Sequence, residues 1–208
     1  MLNKIICEHP LIQRDLTQLR NKTTNSEDFR KLAKRISEVA GVEVLSNLVI
    51  GPEEVETPLA PFTGAKITKP FPYFVSIMRA GSIMVEGLIN LYPDAAIGHI
   101  GLSRDHITLK PNEYYVNLND DLSDYTVILC DPMLATAGSA IYSIDLLKRK
   151  HGSNIIFFSI LASKYGMDRL AKEHPDVKIY TCAMDEDLNE HGYILPGLGD
   201  AGDRLFNT

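Results

Sequence analysis

The sequence is poor in the residues that build disulfide frameworks and zinc sites. Its 208 residues include only three cysteines, which are widely spaced at Cys7, Cys130 and Cys182. No CxxC occurs, and neither the cysteines nor the six histidines show the spacing of metal ligands. Because Cys130 and Cys182 lie in apolar, strand-like runs, we expect buried, reduced thiols, and we expect the histidines at ordinary surface or core positions.

The sequence also lacks long hydrophobic runs and an excess of basic residues. The most apolar run, residues 155–162, is far shorter than the roughly 20 residues of a membrane-spanning helix, and the N-terminus has no apolar run of signal-peptide length. The formal net charge is −6, whereas general nucleic-acid binding needs a basic face. We therefore expect a cytoplasmic protein with neither a membrane nor a nucleic acid as partner.

Two common nucleotide-binding signatures are missing as well. No GxxxxGK[ST] occurs, and no GxGxxG follows a predicted strand, so neither a P-loop nor a dinucleotide-binding fold is indicated. The hydrophobic content of 45% and the charged content of 23% are ordinary for a globular protein, and the length suits one domain.

The first fifty residues are predicted to be helical. Leucine and isoleucine recur there at helical spacing, and a second apolar stripe follows Thr24 and Glu27, which fit a capping box. Residues 51–72 contain five prolines and two glycines, a composition that favours a connection or a small edge element.

From Tyr73 onward, continuous apolar strands alternate with helical patterns. Strands are predicted at residues 73–77, 95–102, 126–130, 154–162 and 177–184, and helices follow the first, third and fourth of them. Such runs are typical of a parallel sheet covered by helices on both faces. In these sheets, ligands bind at the carboxyl ends of strands, near the point where the strand order reverses.

The third of these strands leads into residues 131–139, which we call the central loop. Its small residues feed a helix N-terminus, where unpaired N–H groups and the hydroxyls of Thr136 and Ser139 would hold a phosphate. Asp131 would repel a phosphate and is better placed to hold neutral hydroxyls, such as those of a ribose. The alternative is an ordinary strand-to-helix turn with Ser139 as the helix N-cap.

Arginines follow two other strands. Arg79 comes directly after the first strand, where it would either clamp a diphosphate, with Gly81 permitting close backbone approach, or form a structural ion pair. Arg104 follows the second strand and begins a polar segment that runs to Tyr115. That segment is either a lid that brings Arg104 over an anionic ligand or a solvated hairpin.

The C-terminal run, residues 189–203, combines many glycines with apolar residues. A glycine-rich chain end is usually a mobile tail, but a tail needs no apolar anchors. The pattern therefore favours an ordered loop that offers backbone N–H and C=O groups to a flat polar ligand. The expected anchors are Tyr193, Ile194, Leu195, Leu198, Leu205 and Phe206.

Together, these segments closely resemble the uracil phosphoribosyltransferases. The resemblance rests on IMRAG at residues 77–81, GHIGLSRD at 98–105, DPMLATAGSA at 131–140 and GYILPGLGDAGD at 192–203, and it extends over nearly the whole chain. It implies an α/β fold like that of the type I phosphoribosyltransferases, with a central, mainly parallel sheet flanked by helices. The single domain would span residues 1–208, with a helical N-terminal region at about 1–50 and a small base-recognising hood at about 185–208.

The resemblance also implies a salvage reaction and the residues that perform it. Uracil and phosphoribosyl diphosphate (PRPP) would give UMP and diphosphate, with Mg²⁺ as cofactor held through PRPP and water and not by a dedicated protein site. The implied catalytic residues are Arg79, Arg104 and Asp200, and the implied uracil-binding residues are Ile194, Gly199, Asp200 and Ala201. The implied PRPP-binding residues are Arg79, Arg104, Asp131, Pro132, Met133, Leu134, Ala135, Thr136, Ala137, Gly138, Ser139 and Asp200.

The sequence departs from the family pattern at a few positions. Ala137 stands where glycine is usual, Lys164 and Tyr165 lie in ASKYG where AAPEG is usual, and Asn207 replaces the glycine of FGT. If position 137 needs a positive φ, alanine costs roughly 1 kcal/mol and adds a methyl group near the phosphate. We therefore predict weakened PRPP binding, which Ala137→Gly would relieve, and we predict a minor effect at Asn207.

Two alternatives to an active uracil enzyme remain open on sequence grounds. One is a catalytically weakened paralogue that binds PRPP or a nucleotide as a regulatory protein, and the other is a phosphoribosyltransferase with an altered base preference. The family resemblance further implies a homodimer or larger homo-oligomer and a possible GTP effector.

Overall fold

The computed structural model describes residues 3–104 and 111–208, with only the backbone described at Arg104 and Pro111. The helices are α1 (Pro10–Arg20), α2 (Ser26–Leu45), α3 (Ser82–Leu91), α4 (Gly138–Arg149), α5 (Lys164–Glu173) and α6 (Ala201–Phe206). The longer strands are β1 (Lys4–Ile6), β2 (Ile50–Glu56), β3 (Pro61–Ile67), β4 (Phe71–Met78), β5 (Ala96–Arg104), β6 (Pro111–Asn117), β7 (Tyr125–Cys130), β9 (Asn154–Ser159) and β11 (Lys178–Thr181). The short strands are β8 (Met133–Leu134), β10 (Leu161–Ser163), β12 (Met184–Asp185), β13 (Asp187–Leu188) and β14 (Ile194–Leu195).

A seven-stranded sheet in the order β1-β11-β9-β7-β4-β5-β6 organises the chain. Every neighbouring pair is parallel except β5 and β6, which form an antiparallel hairpin. The predicted mainly parallel sheet is thereby confirmed, and the five predicted strands correspond to β4, β5, β7, β9 and β11. The last two were predicted too long, because residues 154–162 and 177–184 each run on into a short strand of a separate sheet, β10 and β12. Residues 111–115, the last part of the polar segment that begins at Arg104, lie in β6, which pairs with β5. Residues 105–110 lie outside the described part of the chain.

Alternate residues of the central strands face two hydrophobic cores, one on each side of the sheet. Phe74 and Ile128 pack with the buried faces of α1, α2, α3 and α6, whereas Val75 and Val127 pack with α4 and α5. Successive side chains of a strand point to opposite faces, so helices on both sides bury residues 72–77 of β4 and 126–130 of β7. This burial explains why these strands are continuous apolar runs in the sequence.

The helical N-terminal region is confirmed, although its capping differs from the prediction. The expected Thr24–Glu27 capping box is wrong: Asn25 caps α2, and its side-chain oxygen accepts from the Asp28 backbone N–H at 2.9 Å. The Thr24 hydroxyl is instead used by the preceding turn, where it donates to the Gln18 carbonyl. Strand β1 was not predicted, because its three residues are too few for a strand pattern and are recognised as a strand only by their pairing with β11.

Residues 51–72 form a small element of their own. Strands β2 and β3 pair over seven residues as an antiparallel hairpin, after which the chain enters β4. The hairpin exposes large apolar side chains, with Ile50 at 68%, Leu59 at 97% and Phe62 at 57% exposure. This element is distinct from the main sheet and agrees with the edge-element alternative.

A three-stranded parallel sheet, β12-β10-β8, lies beyond the carboxyl ends of the main strands. Ala162 of β10 pairs with Leu134 of the central loop, and Ser163 pairs with Asp185 at the start of the C-terminal segment, residues 185–208. The small sheet therefore connects the two segments that the sequence singled out as binding elements.

All three cysteines are free and buried, as the sequence predicts. Burial raises the pKa of the Cys7 thiol to about 12 and raises the pKa of both other thiols. Within residues 3–104 and 111–208, no helix combines the length and the apolar character that crossing a membrane requires.

Candidate functional site

The segments after three neighbouring strands converge at one edge of the main sheet. Parallel pairing aligns Ser76 of β4 with Cys130 of β7 and Met78 of β4 with Gly101 of β5. Arg79, the central loop and the end of β5 therefore follow strand ends at the same edge. The chain passes from β4 to β5 on one side and later from β7 to β9 and β11 on the other, so β4 and β7 flank the switch point.

The central loop lines an open recess of about 30 Å³. Its lining residues are Asp131, Met133, Leu134, Ala135, Thr136, Ala137, Gly138, Ser139 and Ala140. Whole-ligand pockets usually measure about 300–1,000 Å³, so a recess of this size suits one part of a larger ligand. The Asp131 carboxylate lies at its rim and accepts a long hydrogen bond from the Met133 N–H at 3.4 Å.

Ala137 adopts the left-handed conformation, with φ of 65°, and is the N-cap of α4. Position 137 therefore has the positive φ that the sequence analysis considered as the strained alternative, since residues other than glycine rarely adopt this region. The alternative with Ser139 as N-cap is wrong. Because the left-handed turn at Ala137 reverses the chain early, α4 begins at Gly138 and Ser139 lies in its first turn.

The apolar side chains of the central loop point mainly into the protein. Pro132 is buried, Leu134 is 1% exposed and Ala137 is 4% exposed, and both Leu134 and Ala137 belong to the core beneath α4 and α5. The expectation that the Ala137 methyl group would lie near the phosphate is therefore wrong, because this methyl group packs into the core. The loop is left to contribute mainly backbone N–H groups and hydroxyls, the groups that bind anions at helix N-termini.

Helix α5 holds the backbone of the central loop from behind, a feature that the sequence reading missed. The Ser163 hydroxyl donates to the Ala135 carbonyl at 2.6 Å, and Arg169 donates to the Thr136 carbonyl at 2.8 Å. The two elements pack so closely that a Cβ on Gly166 would lie 2.3 Å from the Ala135 oxygen. A serine that closes a strand and caps a helix was the available signal, but the partner carbonyls are not visible in sequence.

Arg79 connects the switch point to the C-terminal segment. It is exposed after β4, and its guanidinium carbon lies 5.0 Å from the centre of the Phe206 ring. Gly81 also has a structural role. A Cβ there would lie 2.3 Å from the Cys130 carbonyl oxygen, so the glycine permits close packing of α3 against β7.

Arg104 is the last residue of β5, and Met78 pairs with Gly101 three residues before it. The backbone thus carries Arg104 to the same sheet edge as Arg79 and Asp131. The position of its side chain lies outside the described part of the structure.

Apolar side chains anchor the C-terminal segment in the core, and some of the anchors expected from the sequence are among them. Ile194, Leu198, Ala201 and Leu205 are at most 4% exposed and belong to the core that contains α1 and α2. The expectation is wrong for Tyr193, Leu195 and Phe206, which are 43–45% exposed. Leu195 and Phe206 lie on the outer faces of β14 and α6, and Tyr193 directly precedes β14.

The predicted uracil-binding positions follow one another along this segment. Ile194 lies in β14, Gly199 adopts a φ of 80° that favours glycine, and Ala201 begins α6. Asp200 caps α6 and accepts from the Asp203 N–H at 2.9 Å. The run Gly197 to Gly202 also spells GxGxxG after β14, but α6 has six residues and no βαβ unit surrounds it, so the dinucleotide context is missing.

Two arginines that the sequence reading missed fasten the C-terminal segment to α1. Arg20 makes two hydrogen bonds to Asp185, at 2.7 and 2.8 Å, and a third to the Gly197 carbonyl at 2.8 Å. Asp185 in turn accepts from the Gly197 N–H at 2.9 Å. The pair therefore fixes both the carbonyl and the N–H of one glycine.

Arg204 forms the second fastening. It donates to the carbonyls of Leu19, Leu198 and Asn21 at 2.6, 2.7 and 2.7 Å, and it stacks over the Phe29 ring at 4.3 Å. Its partial burial lowers the pKa of the guanidinium, which nonetheless remains protonated at neutral pH. The charge is held by backbone oxygens contributed from both ends of the chain.

The remaining departures from the family pattern have separate structural settings. Lys164 forms an exposed ion pair with Glu186 at 3.0 Å, and Tyr165 is 55% exposed. Asn207 ends α6 with a φ of 58°, so a second glycine replacement also occupies left-handed backbone. Asparagine tolerates this region better than alanine, which agrees with the predicted minor effect.

Comparison with known proteins connects these observations. A family model described as uracil phosphoribosyltransferase matches residues 6–208. A uracil phosphoribosyltransferase of Dictyoglomus turgidum is 50% identical over 204 residues, covering 98% of this chain and 99% of that protein. The solved structure of a protein from Aquifex aeolicus has a TM-score of 0.91 at 32% identity and covers 98% of this chain and 97% of that one.

A more distant structure shows how far the fold extends. Adenine phosphoribosyltransferase of Trypanosoma brucei is only 12% identical, with a TM-score of 0.57 and coverage of 96% of this chain and 89% of that one. The likeness at this identity concerns the fold alone, a mainly parallel α/β sheet of the type I phosphoribosyltransferases. From the match over nearly its whole length and from its identity to named relatives, the chain belongs to the uracil phosphoribosyltransferase family.

Proposed function

We propose that this chain transfers the 5-phosphoribosyl group of PRPP to uracil, giving UMP and diphosphate in pyrimidine salvage. The observation that carries the proposal is the family match over residues 6–208, which includes both the central loop and the C-terminal segment. As a member of this family the chain is a pentosyltransferase. The central loop follows β7 at the switch point, and Phe206 of the C-terminal segment contacts Arg79 after β4, which supports the assignment.

The central loop is the proposed site of the PRPP ribose phosphate. Backbone N–H groups of residues 135–139 and the hydroxyls of Thr136 and Ser139 bind the 5′-phosphate at the start of α4. Asp131, at the rim of the same recess, accepts hydrogen bonds from the ribose hydroxyls. Arg79 and Arg104 bind the diphosphate from the neighbouring strand ends.

The reaction exchanges one bond at the anomeric carbon. The bond to the diphosphate oxygen breaks, a bond from uracil N1 forms, and the N1 proton is released. Positive charge develops on the ribose while negative charge collects on the leaving diphosphate, so the two arginines stabilise the leaving group. The mechanism requires no nucleophilic side chain.

The C-terminal segment is the proposed reader of the base. Uracil presents an acceptor, a donor and an acceptor along one edge, and backbone groups at Ile194, Gly199 and Ala201 are proposed to supply the matching N–H, C=O and N–H. Cytosine would set donor against donor, and each unpaired group costs roughly 1–3 kcal/mol. Asp200, between Gly199 and Ala201 in the chain, is proposed to lie between the base and PRPP.

Magnesium is the proposed cofactor. Among the described residues, no three His, Cys, Asp or Glu side chains are grouped as a metal site. Such a chain could still use an ion held by diphosphate oxygens and water, since Mg²⁺ often binds through substrate phosphates with few protein ligands. When bound, Mg²⁺ would neutralise charge on the leaving diphosphate.

One assay tests the proposal. Purified protein is incubated with PRPP, Mg²⁺ and a panel of uracil, cytosine, thymine, adenine, guanine and hypoxanthine, and nucleotide products are separated by chromatography. We expect UMP from uracil alone. Nucleotide from a different base would show altered base preference, and PRPP binding without any product would show a regulatory binder.

We further propose a homo-oligomer and a cytoplasmic location. The apolar side chains exposed on the β2–β3 hairpin would be covered in a dimer or larger assembly, and sedimentation of the purified chain tests this. Three free thiols suit a reducing compartment. GTP as an effector rests on family resemblance alone, and adding GTP to the UMP assay tests it.

A further inference from the structure

The strained turn at Ala137 raises the question of what keeps the central loop in its binding conformation. Ala137 has a φ of 65°, a left-handed conformation that is unfavourable for alanine. The start of α4 and the orientation of the N–H groups that follow nevertheless depend on this conformation. A stabilising contact elsewhere must offset the strain. The contacts that act on the adjoining peptides come from α5 and from its N-cap, Ser163.

Ser163 and Arg169 each hold one carbonyl of successive peptides before Ala137. Ser163 binds the Ala135 oxygen at 2.6 Å, and Arg169 binds the Thr136 oxygen at 2.8 Å. In a trans peptide the C=O and the following N–H point in opposite directions. The N–H groups of Thr136 and Ala137 therefore face away from α5.

The Ser163 hydroxyl is itself fixed in direction. It caps α5 by accepting from the Gly166 N–H at 2.8 Å, so its proton is directed to the Ala135 oxygen. Ser163 is completely buried, and the short distance between Gly166 and the loop leaves no room for an alternative arrangement. The hydroxyl thus couples the first turn of α5 to the central loop.

We propose that Ser163 and Arg169 are positioning residues that hold the central loop of this chain in the anion-binding conformation against the strain of Ala137. They act through the Ala135 and Thr136 carbonyls and do not touch the substrate. The inference rests on the proposed role of the central loop in binding PRPP. It predicts energetic coupling between Ser163, which caps α5, and Ala137, which is the N-cap of α4.

A simple equilibrium gives the size of the coupling. If the binding and relaxed loop conformations are about equally populated, and strain and hydrogen bond each change their ratio about tenfold, then removing the bond lowers the competent fraction about sixfold. With Ala137→Gly, the same removal lowers it only about twofold.

The experiment is a double-mutant cycle on the full chain, with the Michaelis constants for PRPP and uracil measured separately. We expect Ser163→Ala to raise the PRPP constant about sixfold alone and about twofold together with Ala137→Gly, with the uracil constant unchanged. Arg169→Ala should act in the same direction, whereas Lys172→Ala, an exposed cation on the same helix, should not.

Equal effects of Ser163→Ala in both backgrounds, or equal changes in both Michaelis constants, would overturn the positioning role. A further variant separates this outcome from failure of the proposed PRPP site. Thr136→Glu places a carboxylate in the recess and should raise the PRPP constant through charge repulsion whether or not Ser163 positions the loop. If Thr136→Glu has no effect, the assignment of the recess itself fails. Isothermal titration calorimetry of PRPP binding by each variant gives the same readout without turnover.

Discussion

The central loop and the C-terminal segment achieve order in different ways. The central loop is a short turn between a buried strand and a helix, and its two supports are Ser163, the N-cap of α5, and Arg169 within α5. The C-terminal segment is long and rich in glycine, and its supports, Arg20 and Arg204, link positions more than 160 residues apart in the chain.

The two regions differ in the unfavourable free energy that their supporting contacts must offset, which is backbone strain in one and conformational entropy in the other. The central loop must offset local backbone strain at Ala137, and two hydrogen bonds suffice for a strain of roughly 1 kcal/mol. The C-terminal segment must offset the conformational entropy of many residues, which requires buried apolar anchors and multiply bonded arginines. Loss of a support should therefore affect the C-terminal segment more.

The largest effect is expected from Arg204→Ala. It leaves three backbone carbonyls without their donor and removes the packing on Phe29, so we expect the free energy of unfolding to fall by about 2–4 kcal/mol. Thermal or urea unfolding measures this. Arg204→Lys should recover only part of the loss, because one ammonium cannot reproduce the planar guanidinium geometry; full recovery would show that charge alone matters.

Thiol reactivity compares how readily the two regions open. Cys130 ends the strand before the central loop and Cys182 follows the strand before the C-terminal segment, and burial raises the pKa of both. At pH 7–8 we expect both to react with a thiol reagent at least about 100-fold more slowly than in urea-unfolded protein. Mass spectrometry of partially labelled protein should show Cys182 reacting before Cys130, since the longer segment opens more easily; the reverse order would contradict the comparison.

Loss of the Arg20–Asp185 pair should affect one substrate only. Arg20→Ala frees the Gly197 peptide and leaves Asp185 without its cation, so we expect the uracil Michaelis constant to rise about tenfold or more. The PRPP constant should stay within about twofold, because the central loop keeps its own supports. Lys22→Ala, an exposed cation shortly after Arg20, is the matched control. Equal rises in both constants would indicate general disruption.

Ala137→Gly is expected to have the smallest effect. It relieves roughly 1 kcal/mol of strain but loses a buried methyl worth about 0.8 kcal/mol, so stability should change little. We expect the PRPP Michaelis constant to fall about twofold, because the loop occupies its binding conformation more often. Asn207→Gly is the control at the other left-handed position and should leave this constant unchanged; an unchanged constant in Ala137→Gly would refute the weakened-binding prediction.

Much of the fold could be predicted from the sequence because the relevant signals are local. The continuous apolar runs identified the central strands, and the stretch from Thr126 to Ala140 identified a strand, a loop and a helix in the observed order. Predictions of individual caps failed at Thr24 and Ser139, where a neighbouring residue with equal capping ability or a left-handed turn decided the helix start.

The supports of the site could not be predicted for a physical reason. Arg20, Asp185 and Arg204 act through contacts that exist only after the two ends of the chain meet on the sheet. Ser163 and Arg169 bind backbone carbonyls, which carry no sequence signature. The side chains of the central loop were visible in the sequence, but the inward direction of Ala137 depends on a backbone angle that one residue does not reveal.

The most direct test of the division between the two regions is an amide chemical-shift comparison of the ¹⁵N-labelled protein with two ligands. Ribose 5-phosphate should shift the amides of Thr136, Ala137 and Ser139, and UMP should shift these together with Ile194, Gly199 and Ala201. Shifts at the second group with ribose 5-phosphate, or their absence with UMP, would contradict the assignment of phosphate to the central loop and base to the C-terminal segment.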